Sequence, residues 1–376
     1  MLRTDSRRRA LLAATAACAL PCSGWAGGDD IVVGQIGPFT GTPVPGAAQM
    51  RQGIEAALGE TNAAGGIGGR RLALFALDDG FDPDVFVRRF AEAAERRPVA
   101  LLAPMGTPTV QRMLDARLLD RYDMLVLNAV PGADSLRSPG HPRLLHVRAG
   151  DHQQVERIVR HAVTLGITQM AVLCQDLSIG TTSLAVARQV ADAHGVRLAV
   201  AMAPADGSAL DEAVGRVQAG QPQCVLVLGS PRFAARGIAA LRRANQEWPL
   251  YALGYVTPEL VVHLAGSGAR GVALAQVFPN PNGNTLALQQ RFQAAMAQQG
   301  AASPFTPFQL EGYVTGRVLV EGLRRAKAPG PEGLAHALHA MGECNLGGFR
   351  VDFSHGNVGS HFVDIAMINS RGRLVY

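Results

Sequence analysis

The chain has 376 residues, 48% of them hydrophobic, and carries 35 Lys and Arg against 30 Asp and Glu, a formal charge of +5. That length suits two domains, each with its own core. After the first 26 residues no apolar stretch approaches the ~20 residues of a membrane-spanning helix, and the basic residues are too dispersed for a nucleic-acid partner.

The N-terminus accounts for much of the positive charge. Arg7, Arg8 and Arg9 precede an apolar run from Ala10 to Leu20, and small residues lead to Gly24-Trp25-Ala26. This is the order of a signal peptide cleaved after Ala26. The general secretory route is expected, with the twin-arginine route as the alternative because Ser6-Arg7-Arg8 is followed by Leu11-Leu12. Thr15-Ala16-Ala17-Cys18 is a poor approximation to a lipoprotein signal. Removing residues 1–26 takes away four arginines and one acid, so the formal charge falls from +5 to +2. Three cysteines remain, Cys174, Cys224 and Cys344, with no CxxC spacing and apolar neighbours, as expected of buried free thiols.

From Ile31 the hydrophobic pattern alternates between two periods. Ile31 to Ile36 reads as a buried strand, and Ala48, Met50, Ile54, Ala57 and Leu58 mark one face of a helix. Strands follow at Leu72–Leu77, Val99–Ala103 and Met124–Leu127, separated by the helical stripes of Val87, Phe90 and Ala94, then Val110, Met113 and Leu118. A second series starts after Leu144-Leu145-His146-Val147, with strands at Met170–Cys174, Leu198–Met202 and Val225–Leu228 between further stripes. Thr257-Pro258 reads as an N-cap and first-turn pair. Helices of this length between strands imply parallel pairing with right-handed crossovers. The fold class expected is therefore α/β: two doubly wound parallel-sheet lobes, with ligands at the carboxyl ends of their strands. Three crossings between lobes are placed near Val147–Gly150, Phe278–Asn282 and Phe353–Gly356. They give lobe one as 27–147 plus 279–352 and lobe two as 148–278 plus 353–376.

Motifs for chemistry are missing. The chain has one lysine, Lys327, and no glycine-rich loop before it, so there is no Walker A motif. Gly65-Gly66-Ile67-Gly68-Gly69 precedes a strand and has the wrong spacing for a dinucleotide fingerprint. Asp78-Asp79-Gly80-Phe81-Asp82-Pro83-Asp84 has Phe90 where an EF-hand needs Glu, and reads as a solvated turn and helix cap. His336 and His339 have no adjacent acid, and no GxSxG elbow occurs. No enzyme, metal site or cofactor is expected.

Several stretches together resemble the leucine/isoleucine/valine-binding family of periplasmic proteins. They are Gly34-Gln35-Ile36-Gly37-Pro38-Phe39-Thr40-Gly41, Asn62 to Arg70 with the following strand and Asp78-Asp79, Leu145 to Ala149, Leu310-Glu311-Gly312-Tyr313, and Gly348 to Phe353. The match runs from Ile31 to Ile368 and rests on order and spacing. The resemblance implies a type I periplasmic-binding fold, two lobes on a three-strand hinge that close around a small ligand. It also implies a monomer that delivers its ligand to the membrane permease of an ABC importer, or, as the alternative, a periplasmic sensor that presents its bound form to a signalling receptor.

In the loop Met105-Gly106-Thr107-Pro108-Thr109, backbone N–H groups, the Thr107 hydroxyl and a helix N-terminus favour an anion or carbonyl oxygen. Gly106 and Thr107 are the ligand candidates, and Thr109 is the expected cap. Ala129 and Ser230 lie in the corresponding loops, and Phe39, Tyr255 and Tyr313 are either pocket walls or core. Arg148, at the first crossing, is expected to brace the hinge. The sequence departs from the family where Pro131 replaces a hydroxyl residue, Ser230 an aromatic, and Gly254-Tyr255 a segment that often carries the acidic partner of a ligand ammonium. Glu259 and Asp176 are the acids available to substitute, though neither stands at the motif position, so the ligand expected is amino acid-like, an amide or a carboxylate and need not be an α-amino acid. The cysteine pair common in the family is missing at Phe81 and Gly106.

Overall fold

The computed structural model describes residues 30–40 and 45–376; the export segment read at 1–26 lies outside the described residues. The first series comprises β1 (Ile31–Gly37), α1 (Pro45–Ala63), β2 (Leu72–Asp78), α2 (Pro83–Glu95), β3 (Leu101–Leu102), α3 (Thr107–Asp115), α4 (Leu118–Arg121), β4 (Val126–Leu127) and β5 (Leu144–Leu145). The second comprises α5 (Asp151–Thr164), β6 (Gln169–Gln175), α6 (Ser178–Ala193), β7 (Arg197–Ala203), α7 (Leu210–Ala219), β8 (Cys224–Leu228), α8 (Pro231–Ala244), β9 (Leu250–Ala252), α9 (Pro258–Ala265) and β10 (Val272–Gln276). The chain then contributes α10 (Ala287–Gln298), α11 (Pro307–Arg325), α12 (Pro331–Ala340) and the hairpin β11 (Cys344–Asn345) and β12 (Arg350–Val351), before β13 (Asp364–Ile368) and β14 (Leu374–Val375).

The first sheet has the order β2-β1-β3-β4-β5 and is parallel throughout. The second has the order β14-β13-β10-β9-β8-β6-β7, parallel from β7 to β10, with β13 and β14 added antiparallel at one edge. Counted from its own first strand, each parallel sheet follows the order 2-1-3-4-5. The order reverses between β1 and β3 in one and between β6 and β8 in the other, and such switch points open the crevice where open α/β sheets take ligands.

Each sheet is covered on both faces, which is why its strands read as continuous apolar runs. One face of the first sheet packs with α1, α10 and α11 through Met50, Ile54, Phe292, Tyr313 and Val314, and the other with α2 and α3 through Phe86, Phe90 and Val110. α1 and α11 lie unusually close, because a Cβ on Gly53 would stand 1.9 Å from the Gln309 carbonyl oxygen. The second sheet has its own pair of cores, one around Phe233, Ile238 and Trp248, the other around Val155, Ile158 and Val172. No helix among the described residues is long and apolar enough to cross a membrane.

The third crossing falls later than Phe353–Gly356. Phe353 is fully buried in the first lobe's core. Beyond it His146 N donates to the Asn357 carbonyl and Gly359 N to the His146 carbonyl, so Asn357–Gly359 runs alongside the first lobe's last strand. The polar stretch Ser354–Gly356 is a turn within lobe one, closed by Gly356 N on the Phe353 carbonyl at 3.3 Å, and the chain leaves for lobe two after Gly359.

Candidate functional site

The loops at the two switch points frame the candidate site. On lobe one, β1 and β2 pair in register to Gly37 opposite Asp78, which brings the Asp78 carboxylate under the loop that leaves β1. Its Oδ1 accepts from Phe39 N at 2.8 Å and from Thr40 N at 3.1 Å, and Oδ2 accepts from the Thr40 hydroxyl. Asp78 therefore shapes the first crevice loop, a role the solvated-turn reading missed. Asp82 caps α2, accepting from Asp84 N and Val85 N. Between them Asp79 is buried, and burial pushes its carboxyl up to about 6.

On the other side of the same switch point, Gly106 is the N-cap of α3, with φ 91°, and Thr107 is the first helical residue, mostly buried. No side chain caps this helix. The expectation that Thr109 would do so is thus corrected: the turn is set by Gly106 and Pro108. Phe39, half-buried, packs against the lobe-one core from the loop that leaves β1. Phe81 and Gly106, the positions of the family's cysteine pair, are neighbours, since a Cβ on Gly106 would lie 3.3 Å from the Phe81 ring.

On lobe two, Gln175 ties the loops of its switch point together. Its Oε1 accepts from Ser230 N at 2.9 Å and its Nε2 donates to the Ala205 carbonyl at 2.7 Å. The Ser230 hydroxyl accepts from Phe233 N at 3.3 Å and so caps α8. Tyr255 is half-buried and donates its hydroxyl to the Gly229 carbonyl at 3.1 Å; burial raises its pKa far above that of a free phenol.

A buried polar network closes the hinge side of the crevice. Arg148 is 1% exposed, and its Nη1 donates to both oxygens of Glu311 at 3.3 and 3.4 Å. Asn128 Nδ2 donates to Glu311 Oε1 and to the Thr315 hydroxyl, while its Oδ1 accepts from Val147 N. The first crossing is thereby tied to α11 of lobe one. Arg137 donates to the carbonyls of Arg148 and Pro131. His146 sits among these cations fully buried, and burial together with Arg137 holds its pKa well below the usual imidazole range, so it is neutral.

Asp151, the first residue of α5, is 2% exposed and stands where the lobes meet. Its N–H donates to the Gly132 carbonyl at 2.8 Å, its Oδ2 accepts from the Ser183 hydroxyl at 3.0 Å, and the Gln154 amide lies 3.5 Å from Oδ1. A Cβ on Gly132 would fall 1.9 Å from Asp151 Oδ1, so only glycine fits against this carboxylate. Among the described residues no Arg, Lys or His forms an ion pair with it. Burial accordingly raises its pKa, although Arg137 and Arg148 oppose that from a distance.

The sequence-predicted residues divide between these places. Phe39, Gly106, Thr107, Ser230 and Tyr255 lie on the loops at strand ends that flank the crevice. Ala129 is fully buried behind it, its carbonyl 3.4 Å from His146 Nδ1. Tyr313 is a core residue of lobe one: its ring packs on Phe292 and its hydroxyl donates to Glu60 at 2.7 Å, away from the crevice. Asp151 and Ser183 carried no sign in the sequence, and Asp78 and Glu311 appeared there only as parts of longer stretches, with no role in the site. Cys174, Cys224 and Cys344 are free and buried, and no cluster of metal-ligating residues occurs among the described residues.

Two α/β lobes of like topology, joined by crossing strands and facing each other across paired switch points, define the type I periplasmic-binding fold. The chain belongs to the periplasmic binding protein family, which it matches over residues 30–373, in the branch that resembles leucine/isoleucine/valine-binding proteins. It is 44% identical to an extracellular ligand-binding receptor from Verminephrobacter eiseniae ef01-2, over 93% of this chain and all of that one, with a TM-score of 0.88. A substrate-binding periplasmic protein from Ralstonia solanacearum is 27% identical over 92% of this chain and 99% of its own, with a TM-score of 0.83. The Leu/Ile/Val-binding protein homolog 2 of Brucella abortus (strain 2308) is 37% identical over 76 residues, a stretch that spans only 20% of each chain.

Proposed function

We propose that the chain is the extracytoplasmic solute-binding component of an ABC importer. It would work in the periplasm as a monomer, after export of the kind its first 26 residues predict, and hand its ligand to a membrane permease. The ligand is a small amino acid-like molecule, held by hinge closure. Gly106 and Thr107 would receive its carboxylate or equivalent polar head, offering the start of α3 and a hydroxyl to negative charge. Phe39 and Tyr255 would face the rest of the molecule. The observation that carries this reading is Asp151, a carboxylate buried between the lobes with no cation in contact among the described residues, Arg137 and Arg148 acting on it only from a distance. A ligand ammonium would pair with it, Asp151 standing in for the acid that the family often carries where this chain has Gly254-Tyr255. Such a ligand touches both lobes only when they are closed, and so shifts the population toward the closed state.

Thermal-shift measurements on the mature protein with amino acids, their amides and their des-amino carboxylates test this, because a ligand that binds the native state raises apparent stability. At least one α-amino compound should stabilise the protein, and its des-amino counterpart should do so less. Stabilisation by the carboxylates alone would remove the ammonium from the proposal, and silence across the panel would remove the ligand class.

A further inference from the structure

A second cavity lies in lobe one, remote from the crevice, between α10, α11 and the β11–β12 hairpin. It encloses about 290 Å3, and its walls include Arg291, Arg317, Arg325, Glu321 and Tyr313. Four guanidinium groups here share two carboxylates. Glu60 accepts from Arg291 Nε at 2.5 Å and from Arg317 Nη1 at 3.2 Å. Glu321 accepts from Arg317 at 3.5 Å, Arg324 at 3.0 Å and Arg325 at 2.6 Å. Counting Glu60 and Arg324, which adjoin the cavity wall rather than line it, the cluster carries two positive charges in excess. Glu343, which also lines the cavity, is paired with Arg350 and does not offset them.

The layering of the charges matters as much as their sum. The side chains of Glu60 and Glu321 are 23% and 16% exposed, whereas those of Arg291 and Arg325 are 54% and 45% exposed. Arg291 and Arg325 are the outer groups and the carboxylates sit deeper, and each of these two arginines keeps donors left over after its bond to glutamate. Both glutamates are held below their ordinary pKa by these hydrogen bonds and charges, against the effect of burial, so the cluster keeps its pattern around neutral pH. The floor is fixed as well: Arg317 is almost fully buried, and the hairpin is pinned to α10 by Leu288 N on the Gly347 carbonyl at 2.9 Å.

We propose that this cavity is a binding site for a free multivalent oxyanion, separate from the solute crevice. The spare donors of Arg291 and Arg325, lining one cavity with the buried Arg317, are of the kind by which guanidinium groups take phosphate or paired carboxylates. The site requires no change in the crevice, so its test is independent of what the crevice binds.

The test is calorimetric titration of the mature protein with inorganic phosphate at constant ionic strength, using the wild type, an Arg291→Gln/Arg325→Gln variant, and an Arg160→Gln/Arg188→Gln variant that loses the same charge on lobe two. Saturable binding is expected in the wild type and in the lobe-two variant, weakened at least about tenfold in the cavity variant. Absence of saturable binding, or equal weakening in both variants, would overturn the proposal, the second outcome marking a general effect of net charge. Should the double cavity variant lose its native circular dichroism, Arg325→Gln alone serves in its place, with the same two outcomes deciding.

Discussion

Replacing Asp151 by Asn should cost the protein most of its affinity for an α-amino ligand while leaving the fold intact. Asn keeps the shape that fits against Gly132 and can still accept from Ser183, so the change removes charge with little else. A desolvated, hydrogen-bonded charge pair across an interface is worth about 2 kcal/mol or more when one partner is removed, or about thirtyfold in Kd. The des-amino analogue should lose nothing, and it gains if the charge was a burden to it. The ligand-free variant should be at least as stable as the wild type, since a buried carboxylate without a cation is costly. The pair of affinities is the informative measurement. Equal loss for both ligands would mean that Asp151 only shapes the hinge, and unchanged affinity for the amine would move its partner elsewhere.

The second large effect is expected at the hinge. Glu311→Ala leaves Arg148 buried without its counter-charge and strips Asn128 of an acceptor. Breaking a buried pair from one side typically costs 3–5 kcal/mol. Urea unfolding should show a loss of about that size. The double variant Arg148→Met/Glu311→Leu should recover most of it, because two apolar side chains avoid the desolvation that the pair must offset. A single-variant loss below about 1 kcal/mol, the size of an exposed pair, would show that water reaches Arg148 and that the hinge network is looser than its burial implies.

The parts of the fold that the sequence displayed are those with local causes. Strands buried on both faces read as apolar runs, amphipathic helices as stripes, and Thr257-Pro258 as a helix start, where Thr257 does accept from Leu260 N at 3.3 Å. The crevice followed from the same source, because strand ends at a switch point must converge. Residues whose meaning depends on distant contacts stayed hidden. Asp151 looks like any acid in the first turn of a helix until Gly132 and Ser183, 19 and 32 residues away, close over it. Asp78 looks like part of a polar turn until β1 pairs beside it. Tyr313 stayed open between pocket wall and core for the converse reason: an aromatic in a helix offers no sign of which way it faces when, as in α11, the helix is buried along nearly all of its length. The short strands β13 and β14 gave no periodic signal long enough to read, and their edge position depends on the chain's last return from lobe one.

Closure of two lobes on a ligand is the central claim, and small-angle X-ray scattering of the mature protein, ligand-free and saturated with the best stabiliser of the amino-acid panel, tests it most directly. The radius of gyration should contract on binding, and the contraction should follow the binding isotherm. Saturable binding with no change in the scattering curve would contradict closure as the way this protein holds its ligand.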